Sequence, residues 1–280
     1  MIKGSVSKFY RLLLFGIITV SFLFVDGNAT KAISEVGNEE LVNYAFAVWI
    51  GSGVYKVGNR KMAIVRVPLR YTLSDAEETK PGIKLLLPLT VGYYDFNNSD
   101  EDFWTASFVP GVEVAFPVNK YWTLKPFGQF GVGNDSTDGN TVYIYGGGVR
   151  SLVRIPYKKF EFGIGNSIIL ADERDSGGVI GESFNMFEAG FDIQHPLGLS
   201  FRGRELKGGL YFVASRFFSG YELLEPDGDS RKIRTLFEVG LTIAPEEPID
   251  IWKVSLDRIG IDFRFGDHFS GVGVNMGFPF

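Results

Sequence analysis

From residue 44 onward, apolar side chains recur at every second position. Tyr44, Phe46, Val48 and Ile50 alternate with Ala45, Ala47, Trp49 and Gly51. Val65, Val67, Leu69, Tyr71 and Leu73 alternate with Ile64, Arg66, Pro68, Arg70 and Thr72. Ile83, Leu85, Leu87, Leu89, Val91 and Tyr93 share one parity, with Lys84 and Thr90 on the other. Successive side chains of a strand point to opposite faces, so each run predicts a strand with one apolar face. The pattern predicts twelve strands, near 44–51, 62–73, 83–93, 103–118, 121–133, 141–154, 159–170, 183–195, 206–218, 233–244, 254–265 and 269–280. Asn119-Lys120 reads as a tight turn. The polar links Asn97–Asp102, Asn134–Asn140, Asp172–Ser183 and Ser219–Lys232 read as longer loops, all on the opposite side from that turn. Pro68, Pro88, Pro110 and Pro126 each remove a ladder donor and are expected at bulges or past the membrane edge.

Composition narrows the class. Glycine makes up 35 of 280 residues, well above the usual ~7%, and aromatics make up 15%. Short alternating runs rich in glycine and aromatics are the signature of a closed antiparallel transmembrane β-barrel, an all-β fold. In lipid every backbone polar group needs an internal partner, and a closed sheet supplies one. Ahead of the strands, Lys3, Lys8 and Arg11 precede an apolar run from Leu12 to Val25, and Gly27-Asn28-Ala29 offers small residues for cleavage. Residues 1–29 therefore read as a signal peptide cut near Ala29, because the apolar run is shorter than the ~20 residues a spanning helix needs. Residues 30–43 form a polar lead-in, periplasmic or within the lumen, where Ile33, Val36, Leu41 and Val42 could pack as a short plug. Residues 44–280 form the barrel.

The whole chain carries a net charge of −5, and the signal peptide holds three cations against Asp26, so the remainder stands at −7. That balance argues against nucleic-acid binding, which needs a basic face. With no cysteine there is no disulfide, thiolate metal site or thiol nucleophile. No residue pattern calls for a cofactor or a metal. The acidic links (Asp100 to Asp102, Asp135 and Asp138, Asp172 to Asp175, Glu222 to Asp229) lack the spacing of a dedicated calcium loop.

The chemistry sits on the polar faces. Arg66, Arg70, Lys84, Glu113, Lys125, Glu161, Glu188, Asp192, Glu238, Arg258, Asp262 and Arg264 share parity with glycines and hydroxyls, which predicts that they face a lumen. Arg66, Arg70 and Lys84 lie on the second and third strands, and Glu161, Glu188 and Asp192 on the seventh and eighth. These are opposite walls of a twelve-strand ring. Eight strands enclose only side chains and sixteen leave a channel. Twelve leaves two readings open, a narrow pore with a transverse field and an interior filled by ion pairs.

The last run places Phe280, Phe278, Met276, Val274 and Val272 on one face, with Pro279, Gly277, Asn275, Gly273 and Gly271 between them. It resembles the closing strand of bacterial outer-membrane β-barrels, in which a terminal aromatic and alternating apolar residues form the assembly signal, here Met276, Phe278 and Phe280. The resemblance implies Gram-negative outer-membrane residence, contact with membrane lipid and lipopolysaccharide, and insertion by the barrel-assembly machinery. Twelve strands behind a signal peptide also resemble the translocator barrel of autotransporters, in which a helix threads the pore behind a long passenger. Only residues 30–43 precede the strands here, so the resemblance is to a solitary autotransporter-like barrel without a passenger. His268-Phe269-Ser270 resembles the His-x-Ser pair of outer-membrane lipid hydrolases; the third group on that strand would be Asn275, whose odd position puts it on the opposite face. The expected function is a passive narrow pore or structural surface protein, not an enzyme. A hydrolase using His268 and Ser270, and an adhesin or receptor built on the outer loops, are the alternatives.

Overall fold

A computed structural model describes residues 44–280, apart from 59, 79, 96–102, 137–140, 177–182, 225–229, 247–248 and 252–253. The signal peptide, the lead-in and its proposed plug, and most of the acidic loop residues lie outside these.

The strands close into one antiparallel ring of twelve. They are β1 (Ser52–Val57), β2 (Arg60–Ser74), β3 (Gly82–Asp95), β4 in two pieces (Phe103–Phe108 and Gly111–Asn119), β5 (Trp122–Asp135) and β6 (Thr141–Tyr157). Then come β7 (Phe160–Asp175), β8 (Phe184–Phe201), β9 (Arg204–Leu224), β10 (Ser230–Pro245), β11 (Ile259–Gly266) and β12 (Phe269–Asn275). Each pairs with its chain neighbours, and β1 pairs with both β2 and β12, which closes the ring. The face alternation survives closure. Val65, Trp104, Phe130, Leu170, Leu241 and Val272 are among the many large apolar side chains left exposed outside. Glu113, Asp192, Arg258 and Asp262 are buried inside. One end carries two-residue turns such as 120–121, 158–159 and 202–203, with Lys158 and Arg202 in the left-handed region at φ 56° and 52°. The other end carries most of the longer connections.

Three sequence expectations are corrected. Residues 44–51 do not form the first strand. Tyr44–Ile50 is a helix, α1, lying within the barrel. Its residues are apolar on both parities, so alternation there was indistinguishable from a helix hydrophobic all round, which is a buried helix. Phe46, Ala47 and Val48 are consecutive and all buried, which a half-exposed strand cannot achieve. Second, the strand expected at 254–265 starts at Ile259, and residues 249–251 and 254–256 pair separately as a small hairpin. Third, the last strand ends at Asn275. Gly277 takes φ +115°, a conformation L side chains rarely adopt, and the chain leaves the wall there. Val272, Val274 and Met276 keep the outer face, but Phe278 and Phe280 turn inside. In addition, Asp172 and Glu173, expected in a loop, belong to β7.

The prolines fall where the ladder is interrupted. Pro110 sits in the break of β4. Pro88 points its carbonyl at Val109 in that same break, so its missing N–H faces no ladder. Arg66 directs both backbone groups at the Ser52 hydroxyl, where β1 begins. Pro68, two residues further, faces the same way and has no ladder partner on that side among the described residues. Pro126 pairs with Val149 on one side, and on the other side the β4–β5 pairing breaks between Phe127 and Leu124, which spans Pro126.

Candidate functional site: the barrel interior

The interior is filled by three sets of side chains. Toward the loop end, α1 is wrapped by apolar and aromatic side chains. Phe46 lies 6.2 Å from the rings of both Phe217 and Phe269, and Trp49 lies 5.5 Å from Phe127. Toward the turn end, Phe278 and Phe280 pack on each other at 4.9 Å and join Tyr211, Leu152 and Val213. Glycines make that seat. A Cβ at Gly165 would collide with the Phe280 ring, and one at Gly190 would stand 2.7 Å from it.

Around the terminal Phe pair, and between it and α1, run charged groups built from inward positions of neighbouring strands. Arg258, at the entry to β11, holds Asp192 of β8 with both Nη atoms at 2.8 and 2.6 Å. Its Nε donates to Thr242 at 2.7 Å, and Gln194 donates to Asp192 at 3.0 Å. Arg264 Nε lies 2.9 Å from both Glu238 and Asp262. Tyr211 donates to Glu238, and Asn275 donates to Asp262 at 3.2 Å. Tyr55 sits beneath the Arg264 guanidinium at 5.8 Å. On the other wall Arg150 pairs with Glu113 at 2.8 Å and lies 3.9 Å over the Phe127 ring. Lys125 donates to the Phe280 carbonyl at 3.3 Å. Glu188 accepts from Ser167 at 2.7 Å and Ser215 at 3.3 Å.

The twelve charges read from sequence thus fall into groups. Asp192 with Arg258, and Glu238, Asp262 and Arg264, come together as ion pairs. Glu113 finds Arg150, which sequence reasoning did not single out. The clue was available, since Arg150 stands opposite Lys125 in the register, but three consecutive glycines blur the alternation just before it. Glu161 pairs with Arg154 at 2.7 Å near the rim. Lys84 is half-buried opposite Glu113 in the register, and Arg70 is exposed. Arg66 differs from the rest. Like the Arg264 Nε, its Nε is buried without a hydrogen-bond partner, but unlike Arg264 it forms no ion pair among the described residues. The strands carrying Arg66 and Lys84 lie across the ring from those carrying Glu188 and Asp192.

The hydrolase pair is not assembled. His268 is an exposed turn residue at φ 54°, and Ser270 shares the outer face with Val272 and Val274. Asn275 is buried inside, bonded to Asp262 and to the Gly277 N–H. No hydrogen bond joins His268 to Ser270 among the described residues.

No family model matches the chain, and no curated protein matches it. Among solved structures it superposes on the β domain of the Bordetella autotransporter BrkA. The TM-score is 0.51 at 11% identity, and the match covers 80% of this chain and 94% of that one. The fold is similar to an autotransporter β domain. A likeness at this identity concerns the twelve-strand ring itself. In this autotransporter-like barrel the apolar interior is supplied by α1 and by Phe278 and Phe280.

Proposed function

We propose that this chain is an outer-membrane barrel that forms a passive, narrow, anion-preferring pore held shut at rest by its own interior segments, without catalysis. A closed barrel whose outer face is apolar suits lipid, and β2, β3 and β5 to β10 each run 14 to 21 residues, beyond the ~9–11 residues needed to cross a bilayer. The observation that carries the pore reading is Arg66, whose Nε is buried without a hydrogen-bond partner and which forms no ion pair among the described residues. A barrel that only needed filling would gain by giving an inward, half-buried cation a counter-ion, because a charge left alone inside costs free energy. Arg70, Lys84 and Lys125 extend the cationic wall. The two apolar tiers supply the closure.

Single-channel recording of the refolded protein in a planar bilayer tests this. The wild type is expected to stay closed for most of the record, with brief small steps that favour anions. Arg66→Glu with Arg70→Glu is expected to move the reversal potential toward cation selectivity. An unchanged reversal potential would overturn the pore reading. Unbroken silence from inserted protein, even after the interior is loosened, would assign the barrel a structural surface role.

A further inference from the structure

We propose that the inner wall of the barrel binds one small oxyanion, of the phosphate or sulfate kind, between Arg66 of β2, Thr90 of β3 and Ser107 of β4. The register places these three in one inward row, with Arg66 opposite Thr90 and Thr90 opposite Ser107. Directly opposed residues bring their Cβ atoms to about 5 Å, so the three side chains share one patch of wall. The Ser52 hydroxyl bonds both backbone groups of Arg66, at 2.9 and 2.8 Å, and so fixes the root of that side chain. The row has defined edges. Toward the turn end, Pro68 stands opposite Pro88, and neither has an N–H to offer. Toward the loop end comes Gly92, where a Cβ would stand 2.8 Å from the Tyr94 ring. From the lumen side, α1 packs against β3 and β4.

Two neighbours in this row are short of partners. The Arg66 Nε is buried without a hydrogen-bond partner, and so is the hydroxyl of Thr90, a residue only 3% exposed. They do not bond to each other, and such a bond would not complete them. Arginine has donors only, and a hydroxyl that accepts from it still has its own proton to place. Both groups therefore call for a further acceptor. The charges that act most strongly on Arg66 are those of Arg70, Arg150 and Arg264, all cations. Arg150 and Arg264 have carboxylate partners, whereas Arg66 has none among the described residues. A small, negative, acceptor-only ligand meets every one of these demands. A tetrahedral oxyanion gives two oxygens to the guanidinium fork and keeps others for the Thr90 and Ser107 hydroxyls. A carboxylate spends both its oxygens on the fork, and chloride has no separate acceptor atoms to distribute. The site rests on the anion-preferring reading of this wall given above, and it names the class of anion.

Equilibrium dialysis against radiolabelled inorganic phosphate tests the site, with the label present from refolding onward so that the interior closes around it. The folded wild type is expected to take up one phosphate per chain, displaced by sulfate but not by chloride at the same ionic strength. Arg66→Gln should reduce uptake to background. Thr90→Val keeps the shape of the side chain and removes only the hydroxyl, and should weaken uptake about tenfold. Thr90→Ser should restore it, which separates a lost hydrogen bond from a disturbed fold. No saturable uptake by the folded wild type, uptake unchanged in either Arg66→Gln or Thr90→Val, or displacement by chloride as effective as by sulfate overturns the proposal. The pore reading fails separately. Phosphate uptake that follows these variants, in a protein whose reversal potential ignores Arg66→Glu with Arg70→Glu, keeps the site and removes the pore. Anion-selective steps without saturable uptake keep the pore and remove the site.

Discussion

Asp192→Ala is expected to cost about 3–5 kcal/mol of barrel stability, because it leaves a buried charge uncompensated. The Arg258 side chain is 8% exposed and that of Asp192 is 3% exposed. The guanidinium would lose both bonds to Asp192 and keep only Thr242. Gln194 would lose its acceptor as well. Nothing in the apolar tiers could replace those oxygens. The comparison that isolates the cause is the double variant Asp192→Leu with Arg258→Met. Removing both charges removes the desolvation cost along with the attraction, and replacing a whole buried pair by apolar residues is often neutral. The double variant is therefore expected to unfold close to the wild type and well above either single variant. Urea unfolding in lipid vesicles, followed by tryptophan fluorescence, reads all of these. A single-variant loss below about 1 kcal/mol would mean that the pair behaves like an exposed one.

Gly165→Val is expected to eject Phe280 and open the turn end of the barrel. The glycine has no side chain where the ring lies, and any Cβ there meets the ring. The backbone of β7 is fixed by ladders to β6 and β8, so the terminal segment moves before the wall does. Its attachments are the contacts of Phe278 and Phe280 and the Lys125 bond to the Phe280 carbonyl. Loss of a buried Phe contact set is worth about 3–5 kcal/mol, which sets the size of the change. The prediction is a shift from closed records to resolvable conductance steps, with the barrel still folded. Unlike truncation, this variant leaves Met276, Phe278 and Phe280 in the sequence, so any role in assembly is undisturbed. Records identical to the wild type would place the closure at α1 alone.

The ring itself was legible in the chain because closure depends on alternation, and alternation is local. The outward apolar residues and the inward charges follow from parity alone. Residues 44–50 were not legible as a helix because every position is apolar or alanine, so no polar face marks the period. The inward turn of Phe278 and Phe280 hangs on the backbone of Gly277, which a parity argument does not see. The pairing of Asp192 with Arg258 spans 66 residues, and only the assembled interior selects it over other combinations. The separation of Asn275 from Ser270 was readable, since odd and even positions of one strand part company.

The shortness of β1 has a further consequence. It covers only the upper part of β2, so β2 from Pro68 toward Ser74 presents one flank without a ladder partner among the described residues. Such a flank is a template on which a foreign chain, or a misfolded copy, can lengthen the sheet. Pro68 offers no N–H there, and Arg70 places an exposed charge beside it. The seam of the cylinder is thus guarded against self-propagating aggregation by one missing hydrogen and one cation.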